Sequence, residues 1–153
     1  MFSNAVVDVI GNSNGVIDYN ENAALSVTLK NLGVSTANAV QAKLTTTSSY
    51  ITMTDSLETY GTIAAGDSMA KASAFAFHVS NTIPDATPVT VNLTITDNAS
   101  HTWTSTITKT VNAPAFQIGG MTINDATGNN NGRLDAGETV QVTIAGTNSG
   151  HAA

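Results

Sequence analysis

Val89-Thr90-Val91-Asn92-Leu93-Thr94-Ile95-Thr96 alternates apolar and polar residues without a break. A period of two puts Val89, Val91, Leu93 and Ile95 on one face of an extended strand and the polar residues on the other. Downstream, Asp97-Asn98-Ala99-Ser100 reads as a hairpin turn, since Asx side chains bond their own backbone there. The run after it sets Trp103, Ile107 and Val111 on one face against Thr104, Thr106, Thr108 and Thr110. Two such segments joined by a short polar turn predict an antiparallel pair.

Working upstream, the same alternation returns at Ala5 to Ile10, Ala24 to Asn31, Asn38 to Thr46, Tyr50 to Thr54 and Tyr60 to Ile63. From Ala70 to Ser80 the phase slips: Ala72 and Ala74 share one parity, while Phe75, Phe77 and Val79 share the other. A β-bulge produces such a slip. Pro84 and Pro88 bracket a loop. About seven short strands with turns between them predict an all-β, immunoglobulin-like antiparallel β-sandwich, without the Cys–Trp–Cys pattern of antibody domains.

Composition agrees. The chain has 153 residues, 41% of them hydrophobic, enough for a buried core. Only 10% are charged, against roughly 25% in ordinary domains, so Thr, Ser and Asn supply the polar surface. Net charge is −6, and the basic residues Lys30, Lys43, Lys71, Lys109 and Arg133 stand singly. That leaves no stripe to track phosphates, so neither nucleic acid nor an acidic membrane is an expected partner. With no cysteine, disulfides, thiolate metal sites and a cysteine nucleophile are absent. No apolar run approaches the ~20 residues of a spanning helix, and the opening residues lack the pattern of a signal peptide.

The sequence also repeats itself. Asp8-Val9-Ile10-Gly11-Asn12-Ser13-Asn14-Gly15-Val16-Ile17-Asp18-Tyr19-Asn20-Glu21 returns as Asp125-Ala126-Thr127-Gly128-Asn129-Asn130-Asn131-Gly132-Arg133-Leu134-Asp135-Ala136-Gly137-Glu138, offset by 117 (125 − 8). The shared pattern is D-x-x-G-N-x-N-G-x-[IL]-D-x-x-E. Asn31 and Gly33 are likewise repeated as Asn148 and Gly150. An offset of this size equals one sandwich plus a linker. The expected organisation is therefore a module over residues 1–113, then a linker and the first strands of a second, truncated repeat over 114–153. A lone hairpin is marginal in water, so the tail is expected to lean on the first module or to exchange strands with a second copy.

Calcium takes several oxygen ligands converging in a tight loop. Asp8, Asn12, Asn14, Asp18 and Glu21 offer side-chain oxygens, Val16 a carbonyl, and Ile17 an apolar anchor. Asp125, Asn129, Asn131, Asp135 and Glu138, with the carbonyl of Arg133, repeat the set. The register is partly that of an EF-hand, but its first position is Ile10 in one copy and Thr127 in the other. Neutral amides in place of carboxylates imply weak binding, suited to millimolar calcium. The competing reading is a pair of Asn-Gly and Asx turns that hold a strand connection.

Other chemistry finds little footing. His78, His101 and His151 are too scattered for a zinc site. No nucleophile elbow, glycosidase carboxylate pair or phosphate-cradling glycine loop is present, and no enzyme is expected. Trp103, Tyr50 and Tyr60 offer a sugar-stacking platform, although a single Trp in a small sandwich more often belongs to the core. Asn92-Leu93-Thr94 and Asn98-Ala99-Ser100 match the N-glycosylation sequon.

Tyr60-Gly61-Thr62-Ile63-Ala64-Ala65-Gly66, Ala74 to Val79, Ile83-Pro84-Asp85 and Gly128 to Thr139 resemble the Ig-like modules appended to large secreted proteins of Bacteroidetes, including gingipain-like cysteine peptidases. The resemblance implies export, a secreted or cell-surface location and a place C-terminal to a catalytic domain. No catalytic residue carries over. It also implies that Asp55-Ser56-Leu57 and Asp67-Ser68-Met69 fit an O-glycosylation triplet. The expected function is a structural or adhesive module with calcium at its repeated loop, its partners being neighbouring domains of the same polypeptide and a host or cell-surface protein or glycan. The alternatives are a carbohydrate-binding module and an accessory domain that directs a secreted peptidase to substrate.

Overall fold

The computed structural model describes the backbone of residues 2–7, and residues 12 and 14–153 in full. Asp8, Val9 and Ile10 of the expected loop and first strand lie outside the described residues. The rest is all β, as the alternation predicts.

Eleven strands are described: β1 (Phe2–Val7), β2 (Ile17–Asp18), β3 (Asn22–Lys30), β4 (Ala37–Thr46), β5 (Ile51–Asp55), β6 (Leu57–Ile63), β7 (Ser68–Val79), β8 (Thr87–Thr96), β9 (Thr102–Asn112), β10 (Phe116–Asn124) and β11 (Gln141–Asn148). One sheet runs β1-β3-β7-β5, the facing sheet β2-β9-β8-β4-β6, and β10 and β11 form a two-stranded sheet of their own among the described residues. The pairings are antiparallel except that of β2 with β9. The chain is thus an immunoglobulin-like β-sandwich followed by the opening strands of a second copy.

The alternating residues of β8 behave as their period requires. Val89, Val91 and Leu93 are buried between the sheets, whereas Thr90 faces outward with its hydroxyl 2.9 Å from that of Thr108 on β9. Hydroxyl ladders of this kind give the sheet a polar face without charge. Two apolar clusters fill the interior. One gathers Leu25, Val27, Leu44, Phe75, Leu93 and Ile107 at mid-sandwich. The other gathers Ile17, Ile51, Phe77, Val79, Val89 and Val111 toward one pole.

The phase slip in β7 is a bulge. Leu25 opposes Phe75 and Val27 opposes Lys71, so three residues of β7 face one of β3. Ser73 takes up the excess in the left-handed region at φ 49°, and its N–H donates to Ser26 Oγ at 3.0 Å. The irregularity brings two neighbours, Ala74 and Phe75, into the core side by side.

The repeat in sequence is a repeat in pairing. Asn4 opposes Val27 and Val6 opposes Leu25 in β1–β3. Their counterparts 117 residues on, Met121 with Ile144 and Ile123 with Val142, oppose one another in β10–β11. The second pair slips register between Ile118 and Met121, and its surroundings differ. Leu25 and Val27 are covered by the facing sheet, while Val142 and Ile144 are exposed, as are Phe116, Ile118 and Met121.

Candidate functional site

Both copies of the loop adopt the same hydrogen-bonded form. In the first, Glu21 accepts the N–H of Asn12 on Oε1 (3.1 Å) and that of Asp18 on Oε2 (2.8 Å). The side-chain amides of Asn12 and Asn14 both donate to Asp18 Oδ2, at 2.8 and 2.7 Å. Asn12 Oδ1 accepts Asn14 N–H and Asn14 Oδ1 accepts Val16 N–H, two successive Asx turns. The second copy repeats each contact, with Glu138 on Asn129 and Asp135, and with Asn129 and Asn131 on Asp135 Oδ2. Those two amides hold the Asp135 carboxyl below the usual range. Asp125 accepts Gly132 N–H at 2.9 Å; its counterpart Asp8 lies outside the described residues.

Why the chain turns this way is local. Gly15 and Gly132 stand at φ 80° and 75°, which L side chains rarely adopt. Asn20 and its counterpart Gly137 are also left-handed, at 54° and 81°, which swings Glu21 and Glu138 back over the loop. Ile17 is the anchor. It is buried in the apolar cluster at this pole, against Val111, while Leu134 in the second copy remains exposed. Tyr19 N–H then ties the loop to the carbonyl of Asn112 at 2.8 Å.

Among the described residues, Asn12, Asn14, Asp18 and Glu21 are brought together in the first loop and their counterparts in the second, but their oxygens are largely engaged by N–H donors; Asp8 lies outside the described residues. The carbonyl-bearing residues Val16 and Arg133 sit at the Asx turns. No group of three His, Asp or Glu side chains suited to a metal forms among the described residues. One oxygen departs from this pattern. Asp18 is 6% exposed, and its Oδ1 is shut off from solvent with no hydrogen-bond partner among the described residues. A desolvated carboxylate oxygen costs free energy until it meets a donor or a cation.

A second feature lies beside the first loop. The turn after β11 folds back onto the sandwich: Ala152 N–H donates to Ala113 O, and Tyr19 Oη donates to the carbonyl of Ala153 at 3.3 Å. Asp85, in the loop before β8, clamps this junction. It accepts Ala113 N–H at 2.9 Å and His151 N–H at 3.2 Å, with His151 Nδ1 at 2.8 Å from its other oxygen. The Ala113 amide first, and the His151 side chain next, push the Asp85 carboxyl down to about 2. A carboxyl depressed in this way stabilises the junction above its unfolded value, about 3.9. That contribution is lost as pH falls through the folded value. Asn12, Asp18, Tyr19, Glu21, Ala152 and Ala153 together line one cleft of about 300 Å³.

Trp103 is not a core residue. It is 48% exposed and borders a cleft of about 520 Å³ at the opposite pole, with Leu29, Leu32, Val40, Ile63 and Ile95. Tyr60 is buried, its hydroxyl donating to Val27 O at 3.0 Å, so no aromatic platform forms with it. The histidines lie apart: His78 bonds Asn22, His101 bonds Asp97 and His151 bonds Asp85.

No protein-family model matches the chain, and the curated proteins hold no significant match. Among solved structures it is similar to the crystal structure of the periplasmic chaperone SfaE, at 10% identity and a TM-score of 0.33, over 93% of this chain and 81% of that one. At that level of likeness the fold rests on the chain's own strand order and register.

Proposed function

We propose that the chain is a non-catalytic structural and adhesive Ig-like module, residues 1–113, of a larger secreted or surface protein, joined through 114–153 to a second unit. Weak calcium binding at the loop of residues 8–21 stiffens the junction between them. The observation that supports calcium is Asp18 Oδ1, a buried carboxylate oxygen lacking a donor among the described residues. A hard cation is the partner such an oxygen favours, with the side-chain carbonyl of Asn12 and the Val16 carbonyl as neutral company. Glu21 works differently from the twelfth residue of an EF-hand: it staples the loop by holding two backbone amides. The second loop, from Asp125 to Glu138, is the weaker candidate because its Asp135 is exposed.

At a tenfold excess over Kd, calcium stabilises a folded domain by about 1.4 kcal/mol, or about 5 °C in Tm for a domain of this size. Thermal melts with 10 mM calcium and with a chelator are expected to differ by that amount in the native chain. Asp18→Ala abolishes the shift and Asp135→Ala leaves most of it. Identical melts in calcium and chelator reduce the loop to a plain turn and end the calcium reading.

A sugar-binding role is favoured by one observation, the exposed Trp103 beside a cleft. Its polar lining is thin, since the Asn31 amide already donates to Ser35 O and Ile63 O. Binding on a glycan array that Trp103→Ala removes is the result that would favour it. The place beside a gingipain-like peptidase rests on the sequence resemblance.

A further inference from the structure

The junction explains a glycine that its own turn does not require. Asn148 and Asn31 make the same turn: Gly150 N–H and Gly33 N–H donate to the preceding Asn Oδ1, and the Asn amides donate to Ala152 O and Ser35 O. Neither glycine has positive φ. A Cβ on Gly150, however, would overlap the carbonyl oxygen of Ala113 and the backbone nitrogen of Ala115. Gly33 has no such neighbour; its Cβ would meet only Asn31 Oδ1, at 3.1 Å. Side chains around it tell the same story. Ala152 is buried on the sandwich, whereas its counterpart Ser35 is exposed. Val34, at the place of His151, is 98% exposed, and Leu32 is exposed beside Trp103 at the rim of the apolar cleft.

From this we infer that the turn Asn31–Ser35, with Leu32, Val34 and Trp103, is a docking surface for the linker pole of another module of this kind. The partner's strand-end backbone crosses Gly33 as Ala113–Ala115 crosses Gly150. Large exposed apolar side chains gathered at one pole mark such a contact. The arrangement is head-to-tail, each module setting its β3–β4 turn on the preceding module's β9 end. Val34 has no charge to give an acid in the position of Asp85, so the partner pole is apolar or neutral there, or leaves Val34 on backbone alone. The inference rests on the reading of the chain as one member of an array, and it adds which surface faces the neighbour.

The chain contains no cysteine, so single cysteines report burial cleanly. Alkylation of S35C is measured in the chain as it stands and in a chain lengthened by a further copy of residues 1–117 ahead of Met1, which keeps the repeat spacing. The expected result is fast reaction in the first and a rate at least about tenfold lower in the second, with A152C slow in both. Equal S35C rates in the two chains, with A152C still slow, overturn the docking surface while leaving the array reading intact. In the unextended chain G33A is expected to leave Tm unchanged within about 2 °C, while G150A frees A152C to react. Unfolding by G33A would show that Gly33 serves its own module, and would overturn the inference even if the lengthened chain failed to fold.

Discussion

Truncating Phe75 to Ala is expected to lower the unfolding free energy of the sandwich by about 3–5 kcal/mol. The ring has no solvent exposure and sits in the mid-sandwich cluster with Leu25, Leu44, Leu93 and Ile107. Both sheets contribute to that cluster, so relaxation of one strand cannot close the space left behind. The bulge at Ser73 adds to the effect, because it fixes the phase that places Ala74 and Phe75 in the core together. Equilibrium urea unfolding measures the loss. A cost below about 1 kcal/mol would mean that the sheets do not pack around Phe75 as described.

Glu21→Ala is the second large effect, about 3 kcal/mol. Its carboxylate holds the N–H groups of Asn12 and Asp18, and it is buried. Removal discards two charge-assisted hydrogen bonds and leaves the Asp18 amide without water at hand. Glu138→Ala removes the same two bonds in the second loop, but Glu138 is only half-buried there and the residues it holds, Asn129 and Asp135, are exposed. Water replaces the lost acceptor, so the unfolding of the sandwich should change by less than about 0.5 kcal/mol. The pair of substitutions compares one chemistry in two environments by the same urea titration. Equal costs would contradict the view that burial of the first loop, set by Ile17 and the β2–β9 pairing, makes it structural.

The strands were legible because the chain states them simply. Val89 to Thr96 keeps its period through its whole length, and β8 has the burial that period demands. The slip in β7 announced its bulge, although nothing in Ser73 itself marks it as the left-handed residue. Repetition in sequence carried over to register from Met121 to Asn124, which pair as Asn4 to Val7 do, before β10 slips between Ile118 and Met121. The hydrogen bonds within the loop were less readable. Asx turns and calcium ligation draw on the same residues at the same spacing, and sequence alone does not say whether Glu21 faces an ion or two amides. Trp103 misled for a different reason: its parity matches Ile107 and Val111, but at the start of β9 that face runs past the edge of the core. The Asp85–His151 clamp spans 66 positions, and no local pattern connects those two residues.

The central claim is that the β10–β11 tail is fixed to the sandwich at the loop pole, making the junction a structural element. Backbone ¹⁵N relaxation of the full chain at pH 7 tests it most directly. Amides of Ser149 to Ala152 are expected to share the tumbling of β7 and β8, and to gain independent motion as pH falls from about 4 toward 2, where Asp85 takes up its proton. Independent tumbling of the hairpin at pH 7, with or without calcium, would contradict the account.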